Sequence, residues 1–191
     1  LREYLPSIIA NNPDSIADVI VADNGSADGS LALLAEEFPQ VRTLAFGENL
    51  GFAEGYNRAI REPEAEYGYP VLLNSAVRAD SDWLTPLYRF MLDHPEAGAC
   101  QPKLLADSDR SRFEYAGASG GYLDRHGYPY CRGRILDTVE EDCGQYDNPA
   151  EVHWASGACL MVDNSVYTRA GGRDPAFFAH MEEIDLCWRI R

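Results

Sequence analysis

Val19-Ile20-Val21-Ala22-Asp23-Asn24-Gly25-Ser26-Ala27-Asp28-Gly29-Ser30 is the stretch that decides the fold. An apolar run stops at two polar side chains, passes through a glycine turn and enters a helical pattern. Such a run is a buried strand, too uniformly apolar to be exposed on one face. It delivers Asp23 and Asn24 to the C-terminal edge of a sheet, where open α/β sheets bind their ligands.

The same rhythm continues on both sides. Leu1, Tyr4, Leu5, Ile8 and Ile9 carry helical spacing, and Asn11-Asn12-Pro13-Asp14 stops it. Asp28-Gly29-Ser30 opens a helix faced by Leu31, Leu34, Ala35 and Phe38, with Ser26 or Asp28 as its cap. Val41 to Phe46 is a strand, Gly51 to Glu62 a helix, and Pro70 to Asn74 a strand that again ends in a polar residue. Alternating strands and helices imply a mainly parallel, Rossmann-like sheet flanked by helices, with right-handed crossovers. The loops after Asp23 and Asn74 then lie side by side. Further on, a helix is expected over Ser81 to His94, capped by Ser81 or Asp82. Short strands are expected at Gly98–Gln101 and Glu114–Ala118, and a strand broken at Gly157 within Val152 to Val162. Asn164 to Ala170 and Met181 to Arg191 read as helices, the latter with Met181, Ile184, Cys187 and Trp188 on one side.

The bulk properties narrow the partners. With 191 residues and 46% hydrophobic content, the chain suits one domain with a full core. Its 16 basic and 31 acidic residues give a net charge of −15, and Lys103 is the only lysine. That balance argues against a nucleic-acid polymer or an anionic lipid surface as an electrostatic partner. No apolar run approaches the ~20 residues of a membrane span, so no integral membrane segment is expected in this chain. Cys100, Cys131, Cys143, Cys159 and Cys187 are odd in number and lack CxxC spacing. They argue against a zinc site or a disulfide framework and suit the cytosol.

Several constellations carry chemistry. Asp23 and Asn24, with Ser26, end a strand where a carboxylate and an amide can read a base edge, and the next helix start favours an anion. In Asn49-Leu50-Gly51-Phe52-Ala53-Glu54-Gly55-Tyr56-Asn57 the glycines let a ligand or a second backbone come close. Asn49, Gly51 and Asn57 are its candidate ligand contacts. Leu72-Leu73-Asn74-Ser75-Ala76 ends the third strand. Trp154 could stack on a sugar ring or belong to the core, and Ser156-Gly157-Ala158 either leaves room for a ligand or permits tight packing. In Gly171-Gly172-Arg173-Asp174-Pro175-Ala176-Phe177-Phe178-Ala179-His180-Met181-Glu182-Glu183-Ile184-Asp185, three carboxylates open a helix beside aromatics. The helix dipole alone explains acids there, yet a carboxylate among apolar rings also suits a general base.

Taken together these segments resemble the family 2 glycosyltransferases, over most of the chain. The resemblance implies the GT-A fold in a single domain over 1–191, with the family's first strand ahead of Leu1 and the chain a piece of a longer domain. It implies a nucleotide-diphosphate sugar donor, UDP- or dTDP-linked, bound at Asp23, Asn24, Ser26, Asn49, Gly51 and Asn57. Trp154, Ser156, Gly157 and Ala158 would line the donor and acceptor pocket. The closing motif matches the family's Glu-Asp pair at Glu182-Glu183, so Glu183 would be the catalytic base, with Glu182 and Asp185 beside it. Arg173 stands where the family usually has Phe. The reaction implied is inverting sugar transfer to a saccharide or lipid-linked acceptor in bacterial surface polysaccharide synthesis, as in rhamnosyltransferase-like members. It would occur in the cytoplasm, with membrane association through the acceptor. The family's Mg²⁺ or Mn²⁺ would be held at the end of the third strand, but Ala76 occupies the ligand position, and a methyl group cannot bind a hard cation. Asn74 offers one carbonyl oxygen, and Arg189 is a candidate substitute cation. Two rival readings are a nucleotide-sugar binding protein that has lost catalysis and another Rossmann protein such as a dehydrogenase. The latter calls for G-x-G-x-x-G, which the chain does not show.

Overall fold

The structure, a computed structural model, describes residues 1–12, 16–62 and 67–191. Its elements run α1 (Leu5–Ala10), β1 (Ile20–Asp23), α2 (Ser30–Glu37), β2 (Arg42–Ala45), α3 (Gly51–Arg61), β3 (Val71–Leu73) and α4 (Leu84–Asp93). Then follow β4 (Ala99–Cys100), β5 (Leu105–Ala106), β6 (Asp109–Phe113), β7 (Gly121–Leu123), β8 (Pro129–Cys131), β9 (Arg134–Ile135), β10 (Thr138–Val139), β11 (Cys159–Val162), α5 (Asn164–Arg169) and α6 (Glu182–Ile190).

The expected order of elements holds through the first half. The first helix begins at Leu5 rather than Leu1, because Pro6 fits only where its missing N–H has no intrahelical partner. The Pro13 and Asp14 stop signal lies outside the described residues. α2 is capped by Gly29 in the left-handed conformation (φ 83°), not by Ser26 or Asp28. Asp28 instead accepts from the N–H and hydroxyl of Ser30, which hold its carboxyl below the usual range. α4 begins at Leu84, beyond both expected caps, with Asp82 at φ 52°. The strand expected at Glu114–Ala118 is absent. Glu114 takes the Ala116 N–H at 2.8 Å and turns the chain, and the strand lies earlier, at β6.

Pairing is parallel between β1 and β2, with Ile20 opposite Arg42 and Asp23 opposite Ala45. The other described ladders are antiparallel. β11 runs between β3 and β4, antiparallel to both, so those two share a direction. The stretch from β7 to β10 is a small meander. β11 is buried along its whole length and anchors the main core, where Leu72, Phe113, Leu160, Val162, Tyr167 and Leu186 meet. A second cluster, Leu5, Leu34, Phe38 and Val41, fixes α1 and α2 to the first pair of strands.

β1 and β3 do not pair with each other, and among the described residues each is bonded to a strand on one side only. Between them lies a largely apolar cavity of about 690 Å³, walled by Ile20, Val21 and Ala22 on one side and Val71, Leu72 and Leu73 on the other. Asn24, Asn74 and Ser75 line its polar part. Unpaired N–H and C=O groups on facing strand edges call for a partner strand. The cavity is too apolar in its walls to serve a diphosphate.

Candidate active site

Three of the motifs meet at the C-terminal ends of β1 and β3. Asp23 is buried at the tip of β1, and its Oδ1 accepts from Gly25 N–H at 3.2 Å and Ser26 N–H at 3.1 Å. Its carboxylate therefore shapes the turn, a role the sequence reading did not foresee, while Oδ2 accepts no hydrogen bond among the described residues. Asn24 joins this turn to the next motif: its amide donates to Gly51 O at 2.9 Å and Asn49 Oδ1 at 3.2 Å, and its oxygen takes Leu50 N–H at 3.0 Å. Gly25 permits the join. Its φ is +79°, and a Cβ there would overlap the Glu48 backbone and lie 2.8 Å from Asn49 N. Ser26 and Asn49 are exposed beside it.

The closing motif docks onto the same place. Phe178 O accepts from Phe52 N–H at 2.6 Å and Ala53 N–H at 3.3 Å, capping the start of α3. The Phe178 ring covers Gly51, where a Cβ would stand 2.6 Å from ring atom Cδ2. Phe178, His180 and Met181 all have positive φ (52°, 70° and 72°) just before α6. Non-glycine residues held that way store strain, which clusters at functional segments.

Asn57 has a different job from the one expected. It is 3% exposed. Its oxygen accepts from Tyr167 Oη at 2.6 Å and Arg173 N–H at 2.9 Å, and its amide donates to Arg173 O at 2.8 Å and Glu54 Oε2 at 3.0 Å. With all its groups engaged in the interior, Asn57 bolts the Gly171-Gly172-Arg173 turn to α3 and has none left for a nucleotide.

Trp154 is likewise a correction to the pocket: it is 4% exposed, packs on Gly121 and donates to Tyr122 O at 3.2 Å, so it belongs to the core. Ser156 is buried too, its N–H bonded to Gln101 Oε1 at 2.6 Å and its Oγ taking Ala158 N–H at 3.1 Å. Gly157 and Ala158 are half-buried, and Ala158 O accepts Asn74 N–H at 2.9 Å, which ties this loop to β3. A Cβ at Gly157 would lie 3.8 Å from both the Glu183 carboxyl carbon and a Phe52 ring carbon, and 3.9 Å from Arg173 Nη2. Glu183, Phe52 and Arg173 thus converge on the bare Gly157.

Among the acids, Glu183 stands out. Burial pushes its carboxyl above the ordinary range; the adjacent Glu182 adds to this, while the start of its own helix, Arg173 and His180 work against it. Glu182 is 2% exposed and turns inward to Arg173, Nη1 to Oε1 3.4 Å. Asp185 faces the other way and pairs with Arg189 at 2.6 Å. Arg189 also donates to Ala170 O and to Gly172 O at 2.7 Å, so it closes the turn after α5 and is not a free cation for a substrate. α6 is therefore rotated from the expected face: Glu182, Leu186 and Cys187 are buried, whereas Met181 and Trp188 are 45% and 66% exposed.

The residues present do not fit a divalent metal. Asn74 Oδ1 is used by the Ala76 N–H at 2.9 Å, Ala76 is exposed and has no donor atom, and no cluster of three or more His, Cys, Asp or Glu able to hold an ion occurs among the described residues. Phe52, Tyr56 and Arg173 were missed as site residues. The departure from the usual Phe at position 173 was the one sequence signal that pointed to them.

The chain was compared with known proteins. The model of glycosyl transferase family 2 matches residues 1–146. The N-acetylglucosaminyl-diphospho-decaprenol L-rhamnosyltransferase of Mycobacterium tuberculosis is 31% identical over all of this chain. The low-salt glycan biosynthesis hexosyltransferase Agl10 of Haloferax volcanii is 23% identical over 92% of it. The chain spans 66% of the first relative's length and 54% of the second's. A crystal structure of GalNAc-T7 with UDP, GalNAc and Mn²⁺ superposes with a TM-score of 0.69 at 12% identity, over all of this chain and 37% of that one, which shows the fold. The fold is GT-A, and the chain belongs to glycosyl transferase family 2.

Proposed function

We propose that the protein is an inverting glycosyltransferase with Glu183 as general base. The observation that carries the reading is Glu183 itself: a half-buried carboxyl, held above its usual range by burial, whose carboxyl carbon lies 3.8 Å from where a Gly157 Cβ would stand, the same distance as a Phe52 ring carbon. A base works best when its pKa lies near the working pH, and burial among apolar groups achieves that for a carboxylate. An acceptor hydroxyl gives its proton to Glu183 while its oxygen bonds to the anomeric carbon. The bond from that carbon to the diphosphate breaks on the opposite face, and the nucleoside diphosphate leaves. No step is assigned to a metal ion, because Asn74, Ser75 and Ala76 do not form its donor set. The family model ends before α6, so the role of Glu183 rests on the closing motif and this geometry.

The donor is a UDP- or dTDP-linked sugar, held at the turn where Ser26 and Asn49 are exposed beside the buried Asp23 and Gly51. The rhamnosyltransferase relative, by its name, supports an L-rhamnosyl group, taken here as dTDP-linked, and an N-acetylglucosaminyl-diphospho-polyprenol acceptor. Transfer to such a lipid puts the protein at the cytoplasmic face of a membrane through its acceptor, and no described helix is long and apolar enough to cross one. The free thiols of Cys100, Cys131, Cys143, Cys159 and Cys187 agree with that compartment. Calorimetric titration of UDP and dTDP, with and without Mn²⁺, tests the donor site. The reading expects micromolar-range binding that the metal changes less than about threefold; no binding of either nucleotide counts against it.

A further inference from the structure

Arg173 is the largest fully buried side chain among the described residues, 0% exposed. Its backbone is held on both sides by Asn57, and Gly172 before it, at φ +73°, would drive a Cβ to 2.5 Å from Asn57 Oδ1. The side chain can only run inward. It crosses the faces of Tyr56 and Phe52, with its guanidinium carbon 4.6 and 5.1 Å from the ring centroids. Nη1 reaches Glu182 at 3.4 Å, while Arg173 Nε and Nη2 and Glu182 Oε2 have no hydrogen-bond partner among the described residues. Burying a guanidinium and a carboxylate costs several kcal/mol each, on the order of what only close, fully hydrogen-bonded geometry offsets. One long contact and two ring faces do not provide it. A pair kept under those terms points to a task other than stability.

That task is visible around Gly157. Arg173 Nη2 and the Glu183 carboxyl approach the same point, at 3.9 and 3.8 Å from where a Cβ would stand. We propose that Arg173 and Glu182 are positioning residues acting on Glu183 with opposite sign, the guanidinium favouring its carboxylate form and Glu182 its acid form. The other titratable groups that face Glu183 are His180, from the segment before α6, and Cys187, one turn along it. The Gly157 loop and Phe52 bring no charge, and Asp185 is turned to Arg189. The inference rests on Glu183 being the base, and it explains why an arginine stands at a position where the resemblance leads one to expect phenylalanine.

The test follows the carboxyl ¹³C shift of Glu183 through a pH titration of glutamate-labelled protein, with the signal assigned from E183Q, alongside the pH profile of dTDP-rhamnose turnover. Removing the cation in R173M moves the Glu183 midpoint up, by about one pH unit, the low end of what a neighbouring opposite charge does to a carboxyl. Removing the like charge in E182Q, which keeps the shape, moves it down by about the same amount, and R173K restores the parent midpoint. The acidic limb of turnover moves with the midpoint in each case. Shifts in the same direction for R173M and E182Q, or a midpoint unmoved in E182Q, overturn the proposal. If R173M does not fold, E182Q alone decides. An E183Q protein that keeps full turnover overturns the base reading instead, and the ¹³C midpoints still report whether the pair tunes Glu183.

Discussion

Replacing Asn57 by alanine separates the two roles assigned to that residue. In the structure its amide satisfies Arg173 N–H, Arg173 O and the Tyr167 hydroxyl, all in the interior. Truncation leaves those groups without partners, at about 1–3 kcal/mol each, less what a water entering the space would recover. A net loss of about 4 kcal/mol is expected, a large share of the roughly 5–15 kcal/mol that holds a domain together. For a chain of this size that is about 8–16 °C in melting temperature. Urea unfolding followed by circular dichroism reads the loss, and calorimetry at a temperature where the variant is folded reads its affinity for dTDP. The account predicts a large loss of stability with nucleotide affinity within about threefold of the parent. A loss under about 1 kcal/mol together with a tenfold weaker affinity refutes it and restores Asn57 as a nucleotide ligand.

Other outcomes follow from single features. Gly25→Ala adds to the ~1–2 kcal/mol of a left-handed alanine an overlap with the Glu48 backbone, whereas Gly29→Ala, at φ +83° with nothing within 4 Å, incurs the conformational term alone. Chemical denaturation should therefore rank Gly25→Ala well below Gly29→Ala, and equal losses would count against the close approach. Ala76→Asp adds the missing oxygen donor, and calorimetry should show dTDP binding that Mn²⁺ strengthens by about tenfold or more; indifference to Mn²⁺ would mean the loop cannot shape a site. Because burial raises the Glu183 carboxyl, the base is protonated at low pH and turnover rises as pH climbs through a midpoint above the ordinary carboxylate range. A limb at the ordinary value would contradict that.

The sequence was most legible where local patterns decide structure. The apolar run before Asp23 and the helical spacing through Leu34 and Phe38 place β1 and α2 to within a few residues, although Leu31 and Ala35, expected on the buried face, are exposed and Leu33 packs there instead. What sequence could not show is how polar side chains divide between substrate and scaffold. Asp23, Asn24 and Asn57 have the residue types of ligand contacts, yet much or all of their hydrogen-bonding capacity goes into turns and loop joints. Those partners lie up to 116 residues away in sequence. Trp154 reads as core only once Gly121 is seen beneath it. Nor does helical periodicity alone predict the rotation of α6, since the residue that turns inward is charged Glu182, and Arg173 is the partner that draws it there.

The central claim is that Glu183 takes the acceptor proton, and one comparison tests it most directly. Turnover of dTDP-rhamnose with a polyprenyl-diphosphate-linked N-acetylglucosamine acceptor is measured for the parent and for E183Q, with dTDP affinity measured on both. The account predicts a loss of about 10²–10⁴-fold in turnover with nucleotide affinity unchanged, the scale of a removed general base. E183Q turnover within tenfold of the parent would contradict it.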